Sequence, residues 1–329
     1  MRHRLALSMA VVVASSAVAA SAASAATPQR VVGDGTPASC TSAAVVEAVA
    51  RGGRVGFDCG PDPVTIRMRA TAKVRNTNPL LVLDGGGKVT LDGMNRRRIL
   101  YQNTCDRRQV WTTSHCQNQA TPRLIVKDLA FTRGNSTGER TDGGGGGAIF
   151  VRGGRLTVVD SRFARNRCDP RGPDVGGAAI RALSQFRNRP VLVVRSAFLG
   201  GRCSNGGALS SIGVSWSVVN STFRGNRAIG RGANPARAGT AGGGNGGAIA
   251  LDGNRYTLSV RGSRMEGNTA NEGGGAIFFV SNNRTGTATL SGSTLRRNRS
   301  LGFETRGLPG IFFLGARPPR VIRGTTLAP

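Results

Sequence analysis

Arginine recurs in this chain at a position suited to holding a ligand. A short element, an apolar residue with Asn three places later, pairs Phe163 with Asn166, Phe223 with Asn226, Met265 with Asn268 and Leu295 with Asn298. A variant pairs Phe198 with Gly201. The residue that follows each copy is Arg167, Arg202, Arg227, Thr269 or Arg299, in chain order. A guanidinium is a permanent cation whose planar fork grips carboxylate, sulfate or phosphate with paired hydrogen bonds. Like charges stacked at strand spacing repel one another, and a bound polyanion relieves that repulsion. Arg167, Arg202, Arg227 and Arg299 are therefore the candidate ligand-binding residues for an extended acidic chain. The plainer alternative is a basic edge neutralised by water and salt.

A second set lies at Asp128, Asp160, Arg195, Asn220, Gly262 and Gly292, four residues after the start of each repeated strand. Asp128, Asp160 and Arg195 are the candidate catalytic residues. Two carboxylates are few for calcium, which takes about six to eight oxygens. Arginine also releases its proton too reluctantly to be a ready general base. Asp, Asn and Gly equally serve to end a strand and start a turn. Trp111 and His115 share the loop 102–122 and could contact a sugar. His115 and His3 are the two histidines, so a Ser-His-Asp arrangement in the mature chain would depend on His115 alone, and a His-rich zinc site is excluded. The glycine run 143–147 lacks the Lys-Ser/Thr of a nucleotide loop, so no nucleotide cofactor is expected. Aromatic residues are only 5% of the chain. Broad stacking platforms for neutral glycans or single-stranded nucleic acid are thereby disfavoured.

The elements that position these residues are repeats. Apolar strands start at Leu124, Leu156, Val191, Trp216, Leu258 and Ala288, with Val321 opening a degenerate last copy. The apolar residue of the Asn element follows each start by a constant offset, at Phe131, Phe163, Phe198, Phe223, Met265 and Leu295. A Gly-Gly-Ala element recurs at 146–148, 176–178, 206–208, 246–248 and 274–276. Repeats whose phase survives variable spacing are stacked coils with loops inserted at one corner. The tightest repeat, Phe198 to Phe223, accommodates three short strands and three turns. The long insertions, 134–145, 169–175 and 228–245, leave from the corner beside the arginines. Asparagines stacked on successive coils can form an amide ladder.

The first 25 residues read as an export leader: Arg2 and Arg4, an apolar run, then Ala23-Ser24-Ala25. No other segment approaches bilayer length, so no transmembrane anchor is expected. Lys and Arg number 45 against 17 Asp and Glu, and all but Lys73, Lys88 and Lys127 are arginine. The formal charge is +28, or +26 once the two leader arginines are removed. Such a charge steers polyanions. Six cysteines in an exported chain imply disulfides. Cys40 and Cys59 flank the first helix, and Cys105 and Cys116 close a small loop. Cys168 and Cys203 each follow their phenylalanine, Phe163 or Phe198, by five residues. They thus share a position on neighbouring coils, within bridging range. Residues 26–63 read as an N-terminal cap, with a helix started by Thr41 or Ser42 and stopped by Gly52. The stack then runs from 64 to 329, with early strands at 64–68, 80–83, 89–91 and 99–101.

With its Gly-Gly-Ala-[Ile/Leu] and Phe-x-x-Asn repeats, the chain resembles right-handed parallel β-helix proteins of the pectate-lyase-like superfold. More narrowly, it resembles secreted bacterial β-helix proteins with the repeats of polymorphic outer-membrane proteins. The likeness begins at Val31-Val32-Gly33-Asp34-Gly35 and takes in Ser39-Cys40 and Asp58-Cys59-Gly60. It implies an all-β, single-stranded, three-faced right-handed solenoid with a short capping helix. In lyases of that superfold, acidic groups hold calcium against a uronate carboxylate and a basic residue takes the α-proton. Asp128, Asp160 and Arg195 resemble that layout, with calcium implied only in that case and no other cofactor. The expected function is an extracellular, monomeric protein that binds an acidic polysaccharide or other polyanion. A lyase or hydrolase acting on an acidic glycan, and a structural or adhesive envelope protein, are the alternatives.

Overall fold

The computed structural model describes residues 29–140 and 144–329, so the expected leader lies outside the described residues. The chain winds into a stack of parallel strands, a β-solenoid. Its strands fall into three sheets of 17, 8 and 4 strands. The large sheet takes two strands from most coils, such as Val191–Val194 and Ala197–Leu199. The four-stranded sheet is built from two-residue strands: Arg202–Cys203, Arg227–Ala228, Thr269–Ala270 and Arg299–Ser300. The eight-stranded sheet runs from Ala72–Lys73 to Ile311–Leu314.

Register is set by apolar columns. Phe131, Phe163, Phe198 and Phe223 align on consecutive coils, followed by Met265, Leu295 and Leu327. Their first three ring contacts have centroids 5.0, 4.8 and 4.8 Å apart and nearly parallel planes. Leu100, Ile149, Ile180, Leu209, Ile249, Ile277 and Ile311 form a second inward column. Burying each such side chain contributes about 1.5–3 kcal/mol.

Two polar ladders run beside these columns. Asn226 and Asn268 donate through Nδ2 to Phe198 O and Phe223 O of the preceding coil, at 2.9 and 3.0 Å. They also donate to the Oδ1 of the next asparagine, Asn268 at 2.9 Å and Asn298 at 2.8 Å. Asn166 belongs to the same column, but Gly201 separates it from Asn226, whose Oδ1 accepts the Gly201 N–H instead. The second ladder is serine. Ser196, Ser221, Ser263 and Ser293 each accept, through Oγ, the backbone N–H of the serine one coil earlier, at 3.0–3.1 Å.

At the N-terminus, Ser42–Arg51 forms the expected helix, here α1. Thr41 caps it by accepting the Ala44 N–H, and Gly52 ends it at φ 69°. Strands Arg30–Val32 and Gly53–Phe57 flank α1 and already pair with the stack. Three disulfides join Cys40 to Cys59, Cys105 to Cys116 and Cys168 to Cys203. Two details differ from the sequence expectation. Residues 80–83 and 89–91 belong to one strand, Leu80–Asp92, which accommodates Gly85–Lys88 as a bulge instead of a strand-ending turn. The last copy is also shifted, because Val321 pairs with Leu290 and not with Ala288.

The amide ladder yields a stability prediction. Asn268→Ala strands the Asn226 N–H and Phe223 O in the core and should destabilise the fold by about 2–4 kcal/mol. The exposed Asn254→Ala should stay within about 0.5 kcal/mol of the parent. Urea unfolding distinguishes them, and equal midpoints would rule out the ladder as a stabilising element.

Candidate functional site

Strand alternation places the arginines. Asn166, Asn226, Asn268 and Asn298 are buried, and the following residue on each coil turns outward. Asn135, Arg167, Arg202, Arg227, Thr269 and Arg299 occupy one register column. Each backbone N–H after Asn135 is tied to the previous coil: Arg202 to Asn166 O at 3.0 Å, Arg227 to Gly201 O at 2.8 Å and Arg299 to Asn268 O at 2.9 Å. One residue further on, the Cys168–Cys203 bridge (Cα–Cα 4.8 Å) staples the first two arginine coils together. All four arginines are exposed, and none forms an ion pair among the described residues.

Some other arginines are matched to carboxylates. Arg133 pairs with buried Asp92, which helps keep the guanidinium protonated. Glu266, almost wholly buried, takes Arg264, Arg296 and Arg297. The column is thus a line of uncompensated cations in register, on a surface where exposed Arg162, Arg165 and Arg224 also lack a carboxylate partner among the described residues.

Asp128, Asp160, Arg195, Asn220, Gly262 and Gly292 also form a column, and all have left-handed backbone, with φ between 44° and 55°. This is a turn corner, the conformation Asn, Asp and Gly tolerate best. Asp160 and Arg195 meet there in a two-point pair, Nε to Oδ1 at 2.7 Å and Nη2 to Oδ2 at 2.6 Å. The Arg195 hydrogen bond holds the Asp160 carboxyl below its ordinary range, and Asp160 in turn raises the Arg195 guanidinium. That pairing makes Arg195 a still weaker proton acceptor. Asp128 instead meets Lys127, at 3.4 Å, and Lys127 also reaches Asp84 at 2.8 Å. No group of three His, Cys, Asp or Glu residues comes together as a metal cluster among the described residues.

Among the described residues, the insertions leave the arginine column exposed. The second and third lean on the outer face of the eight-stranded sheet, where Pro173 and Asn234 meet Ser210, Ala250 and Phe278 around a small cavity. Residues 141–143 of the first lie outside the described residues. Outward-pointing Arg181, Ser210 and Phe278 are buried beside the second and third insertions, Phe278 also packing on Phe303 and Phe312, while Phe150 is covered by Tyr101 and Arg98. Arg181 donates to Ser210 Oγ at 2.6 Å and to Asp174 O. Burial pushes its guanidinium down to about 10, so it remains a cation at neutral pH. Strand alternation alone gave no sign of this covered face. Glu272 pins the third insertion, accepting from Gly232 N at 2.8 Å and from Arg237 at 2.8 and 3.0 Å.

The loop around the Cys105–Cys116 bridge leaves Trp111 and His115 exposed. A depression of about 1110 Å³ lies at the cap, lined by α1 and by Arg67, Arg69 and Arg75, and includes none of the candidate residues. Among the described residues no helix is long and apolar enough to cross a membrane. No family model, curated protein or solved structure matches this chain.

The Glu272 pin is testable. Burial alone would raise its carboxyl, but the Arg237 hydrogen bonds and the Gly232 N–H outweigh burial and lower it. A carboxyl depressed on folding stabilises above its unfolded value, and the gain is lost as pH falls through the folded value. Hydrogen-exchange protection factors in 228–245, corrected for the intrinsic rate at each pH, should therefore be high at neutral pH and fall only in acid. Glu272→Ala should exchange about tenfold faster at neutral pH. Protection equal to the parent would show that the insertion is held by something else.

Proposed function

We propose that this protein is an exported binding module for an anionic extracellular polymer, an acidic polysaccharide foremost, gripped by Arg167, Arg202, Arg227 and Arg299. The observation that carries the reading is the exposed column of four arginines without carboxylate partners among the described residues. An extended polyanion lying along the stack would neutralise several rungs at once, whereas isolated counterions must be localised one by one. Three disulfides and the leader-like start accord with an oxidising, extracellular setting. In this reading the stack is a right-handed, three-faced solenoid of the pectate-lyase-like kind, acting as a monomer. The chain itself is the rigid ruler, and no cofactor is required.

A second reading, cleavage of the same polymer by Asp128, Asp160 and Arg195, has in its favour the contact between Asp160 and Arg195. Weighing against it, the same contact keeps Arg195 protonated and occupies the carboxylate that calcium would need. Binding without turnover is the reading the geometry supports better.

Retention on immobilised alginate or pectate tests the proposal. The combined Arg167→Ala, Arg202→Ala and Arg227→Ala protein should bind about tenfold or more weakly at low salt. Its circular dichroism should be unchanged, because the three side chains are exposed. Unaltered retention of the triple variant would sink the proposal.

A further inference from the structure

Two large apolar side chains stand side by side in solvent on the loop that leaves strand Leu100–Asn103 of the eight-stranded sheet. Val110, 62% exposed, is the most exposed large hydrophobic residue among the described residues, and Trp111 follows it at 44%. Neither belongs to the hydrophobic core. The backbone is strained to hold them out. Val110 has φ 78° and ψ −46°, close to a γ-turn that is rare for any residue with a side chain and worst for a β-branched one. The turn sends Gln109 inward, where it is buried, and Val110 and Trp111 outward. Strain of this kind persists only where the surroundings enforce it, and it gathers at functional surfaces.

The loop is fixed on both sides of that turn. The Cys105–Cys116 bridge closes it. Asn76 donates to Gln109 O at 3.0 Å through its backbone N–H and to Trp111 O at 2.5 Å through Nδ2. Thr112 Oγ1 donates to Thr104 O at 2.7 Å. A tip so held has little ordering left to lose on binding.

The polar groups beside the indole limit what it can meet. Thr113 Oγ1 accepts from the His115 N–H at 3.1 Å and from Gln119 Nε2 at 2.6 Å, and Ser114 Oγ lies 3.0 Å from His115 Nδ1. With these hydroxyls partnered within the loop, none is poised to orient a sugar ring. What remains is an apolar tip beside exposed Arg107 and Arg108, of which Arg108 pairs with Asp106. A specific protein interface takes about 800 Å² from each partner, more than a tip of two residues offers. A bilayer asks less: an indole at headgroup level, an aliphatic side chain beside it and a cation against phosphate.

We propose that Val110 and Trp111 dip into the interface of a bilayer containing anionic phospholipid, with Arg107 against its phosphates. The protein lies on such a membrane and does not cross it. This surface is separate from the arginine column and does not depend on the polymer-binding reading.

Tryptophan emission and vesicle sedimentation test this. The chain has two tryptophans, and Trp216 is buried with its Nε1 donating to Ser211 Oγ at 2.9 Å. A lipid-induced change therefore reports Trp111. Mixed phosphatidylcholine and phosphatidylglycerol vesicles should shift the emission to the blue, and acyl-chain-brominated phosphatidylcholine in them should quench it. In sedimentation, Trp111→Ala should bind these vesicles about tenfold more weakly and Val110→Gly about threefold. Glycine is at ease at this φ, so Val110→Gly keeps the fold. The combined Arg167→Ala, Arg202→Ala and Arg227→Ala protein should lose charge-driven affinity but show parental quenching once bound. Bound protein whose emission the brominated lipid leaves unchanged would be held by charge alone, and the proposal would fall. It would fall equally if the parent does not sediment with the vesicles or if both tip variants bind as the parent does. An emission shift with neutral cello-oligosaccharides and none with vesicles would make Trp111 a sugar platform instead.

Discussion

Buried amides must be paired, and in this chain that requirement fixes the register of the stack. Asn268 alone accepts from the Asn226 amide and donates to Phe223 O and Asn298 Oδ1. A slip of one residue would face these amides outward and bring the neighbouring arginines into the core. The amide column and the arginine column are thus two sides of one constraint. What holds the coils in phase inside also aligns the charges outside.

That alignment has an electrostatic consequence. The chain has few carboxylates, 17 against 45 basic residues, and it places several where cations would otherwise repel or unpin a loop. Glu266 serves three arginines, Asp160 serves Arg195 at a turn corner, and Glu272 holds the third insertion through Arg237. Even buried Arg98 is answered, by the carbonyls of Gly145 and Gly146 and by the face of Phe150. The four column arginines have no such partner among the described residues, and their distinction is that they share one register column. They face solvent in register, and in the proposed reading a linear polyanion supplies what the chain does not.

Much of this was legible in the sequence because it is local and periodic. The constant offset from strand start to Phe163 or Phe198 placed Cys168 opposite Cys203, and those residues are bridged. The asparagine ladder followed from the same phase. The serine ladder carries a sequence signal too: Ser161, Ser196, Ser221, Ser263 and Ser293 each follow the left-handed corner residue. The covered outer face of the eight-stranded sheet was not legible. Phe150, Arg181 and Phe278 sit where alternation expects exposure; the insertions help bury Arg181 and Phe278, while Tyr101 and Arg98 cover Phe150 and Phe303 and Phe312 pack on Phe278.

The most direct measurement is arginine footprinting by phenylglyoxal and mass spectrometry, with and without oligomannuronate. The reading developed above predicts protection concentrated at Arg167, Arg202, Arg227 and Arg299, with Arg67, Arg69 and Arg75 at the cap still reactive. Protection centred on the cap arginines, or spread evenly over the surface, would contradict it.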